Sequence, residues 1–92
     1  MTASYSLRIK RSAEKELRAV PKTDLQKIIR RIQGLMTDAR PPGHQKLSEL
    51  SVYRVRQGNY RILYTVDDAE RKVDIIKVGH RRGIYRSLRR KI

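Results

Sequence analysis

The stretch YRVRQGNYRILY, residues 53–64, sets Arg54, Arg56 and Arg61 close together, alternating with apolar side chains around a Gly-Asn turn signal. A guanidinium is a permanently charged planar fork of donors that matches the oxygens of a phosphate. If Gly58 and Asn59 are the centre of a two-residue turn, Gln57 pairs with Tyr60 and Arg56 faces Arg61, with Arg54 two residues along on the same face. Like charges placed opposite each other destabilise a sheet, so the arrangement points to an anion between them. The plain alternative is a solvated basic face that repels itself slightly.

A second cluster follows in VGHRRGIYR, residues 78–86, where His80, Arg81, Arg82, Tyr85 and Arg86 crowd together after Gly79. Neighbouring strands of a meander run side by side, so this cluster can join the first in one groove. Tyr85 adds a flat ring on which an unpaired base can stack. His80, with an ordinary pKa of about 6.5, is the only residue nearby suited to proton transfer at neutral pH, although a lone histidine at a strand end is more often structural. Alternation alone does not settle whether Arg81 shares a face with Arg61.

The composition favours a polyanionic partner. Among 92 residues, 23 Lys and Arg stand against 9 Asp and Glu, a formal net charge of +14. Nucleic acid is the first candidate partner and an acidic protein segment the second. The absence of cysteine removes disulfides, thiol nucleophiles and cysteine-ligated zinc, and the isolated His44 and His80 make no convincing metal site. The expected chemistry needs neither metal nor cofactor. No window approaches the length of a membrane span and the N-terminus carries no cleavage signal, so a cytoplasmic protein without a membrane partner is expected.

One domain over residues 1–92 is expected from the length. SYSLRIK, residues 4–10, alternates as a short edge strand. Ser12 reads as the N-cap of a helix whose apolar stripe is Ala13, Leu17 and Val20. After Pro21 a longer helix starts at about Thr23 or Asp24, with Leu25, Ile28, Ile29, Ile32, Leu35 and Met36 on one face and Lys22, Lys27, Arg30 and Arg31 on the other. Residues 38–50 read as a loop, in which Pro41, Pro42 and Gly43 end the helix. Val52–Arg56, Tyr60–Val66 and Val73–Val78 read as three strands and GIYRSLRRKI as a short basic helix or tail. The fold class is α+β: a small, mostly antiparallel sheet with an N-terminal helical hairpin on one face, in the order β-α-α-β-β-β. Tyr53, Tyr60 and Tyr64 fall on the face that the helices cover, and His44 reads as a loop residue without a chemical role.

With the elements in this order, the motifs YRVRQGNYRILYTVDD and VDIIKVGHRRGIYR resemble those of the RelE/ParE superfamily of toxins, and specifically its RelE branch. The resemblance implies the toxin of a type II toxin–antitoxin system: an endoribonuclease that enters the ribosomal A site, cuts the messenger and stops translation. It also implies a cognate RelB-like antitoxin, acidic or amphipathic, through which the complex binds promoter DNA. Arg61, Arg81 and Tyr85 match the family's catalytic positions. Arg54, Arg56, His80, Arg82 and Arg86 become expected RNA or phosphate contacts, with Lys46 as a ribosomal RNA contact. Arg54 and Arg56 stand where some ribosome-dependent members carry lysine, and arginine is a poor proton shuttle. The implied reaction is metal-free attack of a 2′-hydroxyl on the adjacent phosphate, with Arg61 and Arg81 stabilising developing charge and Tyr85 stacking on a base or accepting a proton.

Three other readings stand beside this one. The ParE branch shares the fold and inhibits DNA gyrase without cutting RNA. A basic module without chemistry would bind nucleic acid and leave it intact, and a degenerate toxin would be inactive.

Overall fold

A computed structural model describes residues 4–47 and 51–80 of the chain. The elements are β1 (Ser6–Ile9), α1 (Arg11–Arg18), α2 (Lys22–Gly34), β2 (Gln45–Leu47), β3 (Val52–Gln57), β4 (Tyr60–Asp67) and β5 (Lys72–His80). They form one five-stranded sheet in the order β1-β5-β4-β3-β2. β1 pairs parallel with β5 and every other neighbouring pair is antiparallel. The expected α+β class with a mostly antiparallel sheet is the observed one.

Ala13, Leu17, Ile28, Ile32 and Leu35 from the helical half pack on Val55, Ile62, Tyr64, Val73, Ile75 and Val78 from one face of the sheet. The apolar spacing of α1 and α2 produces this: residues three and four apart share a helix face, and burying that face stabilises helices too short to persist alone.

Several boundaries differ from the sequence reading. Ser12 is not the N-cap of α1; Lys10 holds that place without a side-chain cap, its carbonyl accepting from the Glu14 N–H at 2.9 Å. α2 begins at Lys22 directly after Pro21, so Thr23 and Asp24 lie in its first turn. It also ends at Gly34, well before the prolines. Leu35 is fully buried from the turn that follows, held there by its N–H bonding the Ile32 carbonyl at 3.0 Å. The segment read wholly as loop contains β2, a three-residue edge strand pairing Gln45 with Arg54 and Leu47 with Val52. The C-terminal segment GIYRSLRRKI lies outside the described residues.

The β3–β4 hairpin has the expected register: Gln57 pairs with Tyr60 and Arg56 with Arg61. Gly58 sits at φ 61°, the positive φ required at the first central position of a type II′ turn. The β4–β5 ladder is less regular. Leu63 pairs with Lys77 but Tyr64 with Ile75, so Ile76 is an extra residue in β5. The bulge brings Val78 onto the core face with Val73 and Ile75, where strict alternation would have placed Lys77.

Beyond Ile75, α1 takes over from β1 at the edge of β5. The Lys10 N–H bonds the Ile75 carbonyl at 2.9 Å. Glu16 then accepts the Val78 backbone N–H at 2.8 Å and pairs with the Lys77 ammonium.

Candidate nucleic-acid interface

The face of the sheet away from the helices carries Arg54, Arg56 and Arg61, as the hairpin register dictates. Their surroundings differ. Arg56 is exposed, Arg61 is half-buried, and Arg54 is only 8% exposed. Arg54 stands opposite Leu63, which with Val52, Leu47 and Ile76 forms a second, small apolar cluster on this face. The sequence reading missed this cluster, although Leu63 and Ile76 lie in plain strand positions. The Nε of Arg61 is shielded from solvent and has no hydrogen-bond partner among the described residues. Facing Arg56 across the ladder, the half-buried Arg61 guanidinium adds to a concentration of positive charge that favours an incoming anion.

On its other flank Arg61 pairs with Gly79. Glycine contributes no side chain, so β5 leaves the space beside the guanidinium stem free of a Cβ.

Two expected contacts belong to the opposite side. The bulge in β5 pairs His80 with Tyr60, and their rings meet edge to face with centroids 5.2 Å apart. His80 is thus exposed on the helix-facing side of the sheet, away from Arg61. Lys46 pairs with Tyr53 in the β2–β3 ladder and shares that same side. Its exposed side chain is separated by the sheet from the arginine face. Arg81, Arg82, Tyr85 and Arg86 lie outside the described residues. Among those described, the arginine face offers guanidinium charge and no group that titrates near neutral pH.

Tyr53, Tyr60 and Tyr64 belong to the core on the helix-facing side, as expected. Tyr64 is fully buried and donates to the Ala39 carbonyl at 2.8 Å. Burial pushes its phenol up to about 12. The Tyr53 and Tyr64 rings stack at 5.7 Å. Arg40 lies 5.0 Å above Tyr53 and donates to its hydroxyl at 3.2 Å. Arg40 also grips Asp68 with both terminal nitrogens, at 3.1 and 2.9 Å, while the Tyr5 hydroxyl donates to the same carboxylate at 2.7 Å. The clamp ties the segment before β2 to the β4–β5 turn and to β1. These hydrogen bonds, first from Arg40 and then from Tyr5, hold Asp68 below the usual carboxylate range. The Asp68 hydrogen bond also raises the Tyr5 phenol. His44 is fixed by its Nδ1 contact to the Pro41 carbonyl at 2.8 Å and by the Tyr53 ring.

The sequence over residues 7–85 matches the family model of the ParE toxin of the type II toxin–antitoxin system parDE. The chain is 32% identical over 84 residues to Toxin RelG of Mycobacterium tuberculosis, covering 89% of this chain and 97% of RelG. It is 30% identical over 87 residues to Putative toxin RelE1 of Methanocaldococcus jannaschii, covering 90% and 97% respectively. Its fold matches the toxin–antitoxin complex RelBE2 from Mycobacterium tuberculosis with a TM-score of 0.77 at 25% identity, over 88% of this chain and 95% of that one. With the hairpin register, the sheet order and these similarities agreeing, the chain belongs to the RelE/ParE superfamily of toxins of type II toxin–antitoxin systems.

Proposed function

We propose that this toxin is a ribosome-dependent endoribonuclease that cuts messenger RNA in the ribosomal A site and thereby inhibits translation in the cytoplasm. The observation that carries the reading is the convergence of Arg54, Arg56 and Arg61 on one sheet face, with the shielded Nε of Arg61 lacking a partner among the described residues. Relatives named RelG and RelE1 support the same branch.

In the proposed step, the 2′-oxygen forms a bond to the adjacent phosphorus as the bond from phosphorus to the 5′-oxygen breaks. The products are a 2′,3′-cyclic phosphate and a 5′-hydroxyl. Arg61 and Arg81 stabilise the charge that accumulates on the phosphorane and the leaving oxygen. Tyr85 stacks on the base or accepts the 2′ proton, which water takes when Tyr85 stacks, and a water molecule gives a proton to the departing 5′-oxygen. His80, on the other side of the sheet, is left out of the proton transfer.

A cognate antitoxin, acidic enough to cover the cationic surface, is the expected inhibitor, and promoter DNA is expected to be bound through that complex. The RelBE2 match supports the pairing.

Purified toxin added to messenger with and without translating ribosomes, with cuts mapped by primer extension, tests the proposal. Cuts that require ribosomes and disappear in Arg61→Ala and Arg81→Ala support it. An upstream fragment ending in a 3′-hydroxyl overturns the mechanism. The ParE description of the matching family model favours a second reading, inhibition of DNA gyrase. Loss of gyrase supercoiling with intact RNA would establish that reading instead.

A further inference from the structure

On the helix side of the sheet, a cleft of about 550 Å³ opens between α2, the Pro41 segment and the tip of the β3–β4 hairpin. Lys27, Arg30 and Arg31 line it together with Gln57, and among the described residues no acidic one does. Among the described residues no carboxylate lies within ion-pair distance of these three cations. Arg31 is half-buried, and its Nε is shielded from solvent without a hydrogen-bond partner among the described residues. Its Nη2 passes 4.0 Å from the place a Cβ on Gly43 would occupy, and Gly43 itself sits at φ 90°. The guanidinium is therefore held into the cleft wall against a loop whose conformation favours glycine.

We propose that this cleft is a second phosphate-binding site, which takes the backbone of an RNA segment on the side of the sheet opposite Arg54, Arg56 and Arg61. An anion there balances cationic charge that no carboxylate among the described residues pairs. Two arginines and a lysine supply forked and point charges suited to successive phosphates. A phosphate backbone fits better than an amphipathic acidic helix, which needs exposed apolar anchor points. The apolar residues of this cleft, Leu35 and Pro41, are buried, whereas Lys27, Arg30 and Gly34 are the exposed ones. The site goes beyond the cleavage reading and does not depend on it, because it concerns binding alone.

The test is binding of the full chain to a short fluorescein-labelled single-stranded RNA, measured across a salt series. Lys27→Gln/Arg30→Gln is compared with Lys15→Gln/Arg18→Gln, which removes the same charge from exposed positions on α1. Circular dichroism of each variant verifies folding. The cleft variant is expected to lose tenfold or more in affinity, and its salt slope is expected to shrink by roughly 1.4, at about 0.7 per lost phosphate contact. Equal losses in the two variants would reduce the effect to net charge and overturn the site. Unchanged RNA binding with lost binding of a poly-glutamate peptide would assign the cleft to an acidic protein and equally overturn it. Messenger cleavage is scored separately, so failure of the nuclease reading leaves this comparison intact.

Discussion

Arg56 and Arg61 stand directly opposite each other in the β3–β4 ladder. Two permanent charges in that relation oppose the hairpin that carries them, by a cost of about 0.2–1 kcal/mol for a cross-strand pair. Arg61→Gln should therefore raise the melting temperature slightly, while lowering messenger cleavage roughly a hundredfold or more, the scale for losing one preorganised charge donor. Added salt should stabilise the wild type more than the variant, since it screens the repulsion. Thermal melts at low and high salt, beside growth on induction, measure both. A variant that unfolds would place Arg61 in the framework and remove it from the active face.

Glu16 holds the edge of β5 where β1 no longer covers it. Glu16→Ala should cost about 1–3 kcal/mol, because it strands both the Val78 N–H and the Lys77 ammonium. Chemical denaturation measures the loss. Glu16→Gln should retain most of the stability by keeping an oxygen for Val78, and equal losses in the two variants would disprove the capping role.

The Arg40–Asp68 clamp should show itself in acid. The folded pKa of Asp68 lies below its unfolded value of about 3.9. As pH falls, the unfolded chain takes up the proton first. The contribution of Asp68 to stability is thus present above about pH 4 and is lost as pH falls through the folded pKa. Asp68→Asn should flatten this part of the stability profile, as followed by melts between about pH 2 and 5. Because Asp68 is well exposed, the change should be modest.

Tyr64 acts at the alkaline end. Its phenol is pushed up to about 12 by burial, whereas an unfolded tyrosine ionises near 10. Stability from keeping this proton is complete below about pH 10 and is lost as pH rises toward 12. Tyr64→Phe should remove that alkaline loss and cost about 1–3 kcal/mol at neutral pH by leaving the Ala39 carbonyl unsatisfied. Melts from neutral to alkaline pH test both effects.

The sequence by itself determined the features set by local period and turn chemistry. Gly58 and Asn59 dictated the hairpin register and hence the facing of Arg56 and Arg61. The three- and four-residue spacing of Ala13, Leu17, Ile28 and Ile32 dictated the helical layer, and the family motifs spanned both halves of the chain. Tertiary structure decided what depends on partners distant in sequence. β2 has only three residues and exists because β3 offers an edge to pair with. Arg54 is buried because Leu63, from the neighbouring strand, sits opposite it. The extra residue at Ile76 shifts the pleat by one position. Val78 is thereby turned into the core, Gly79 is set beside Arg61, and His80 is sent to the far side of the sheet. No alternation count along one strand can foresee such a shift, since a bulge is fixed by packing between strands.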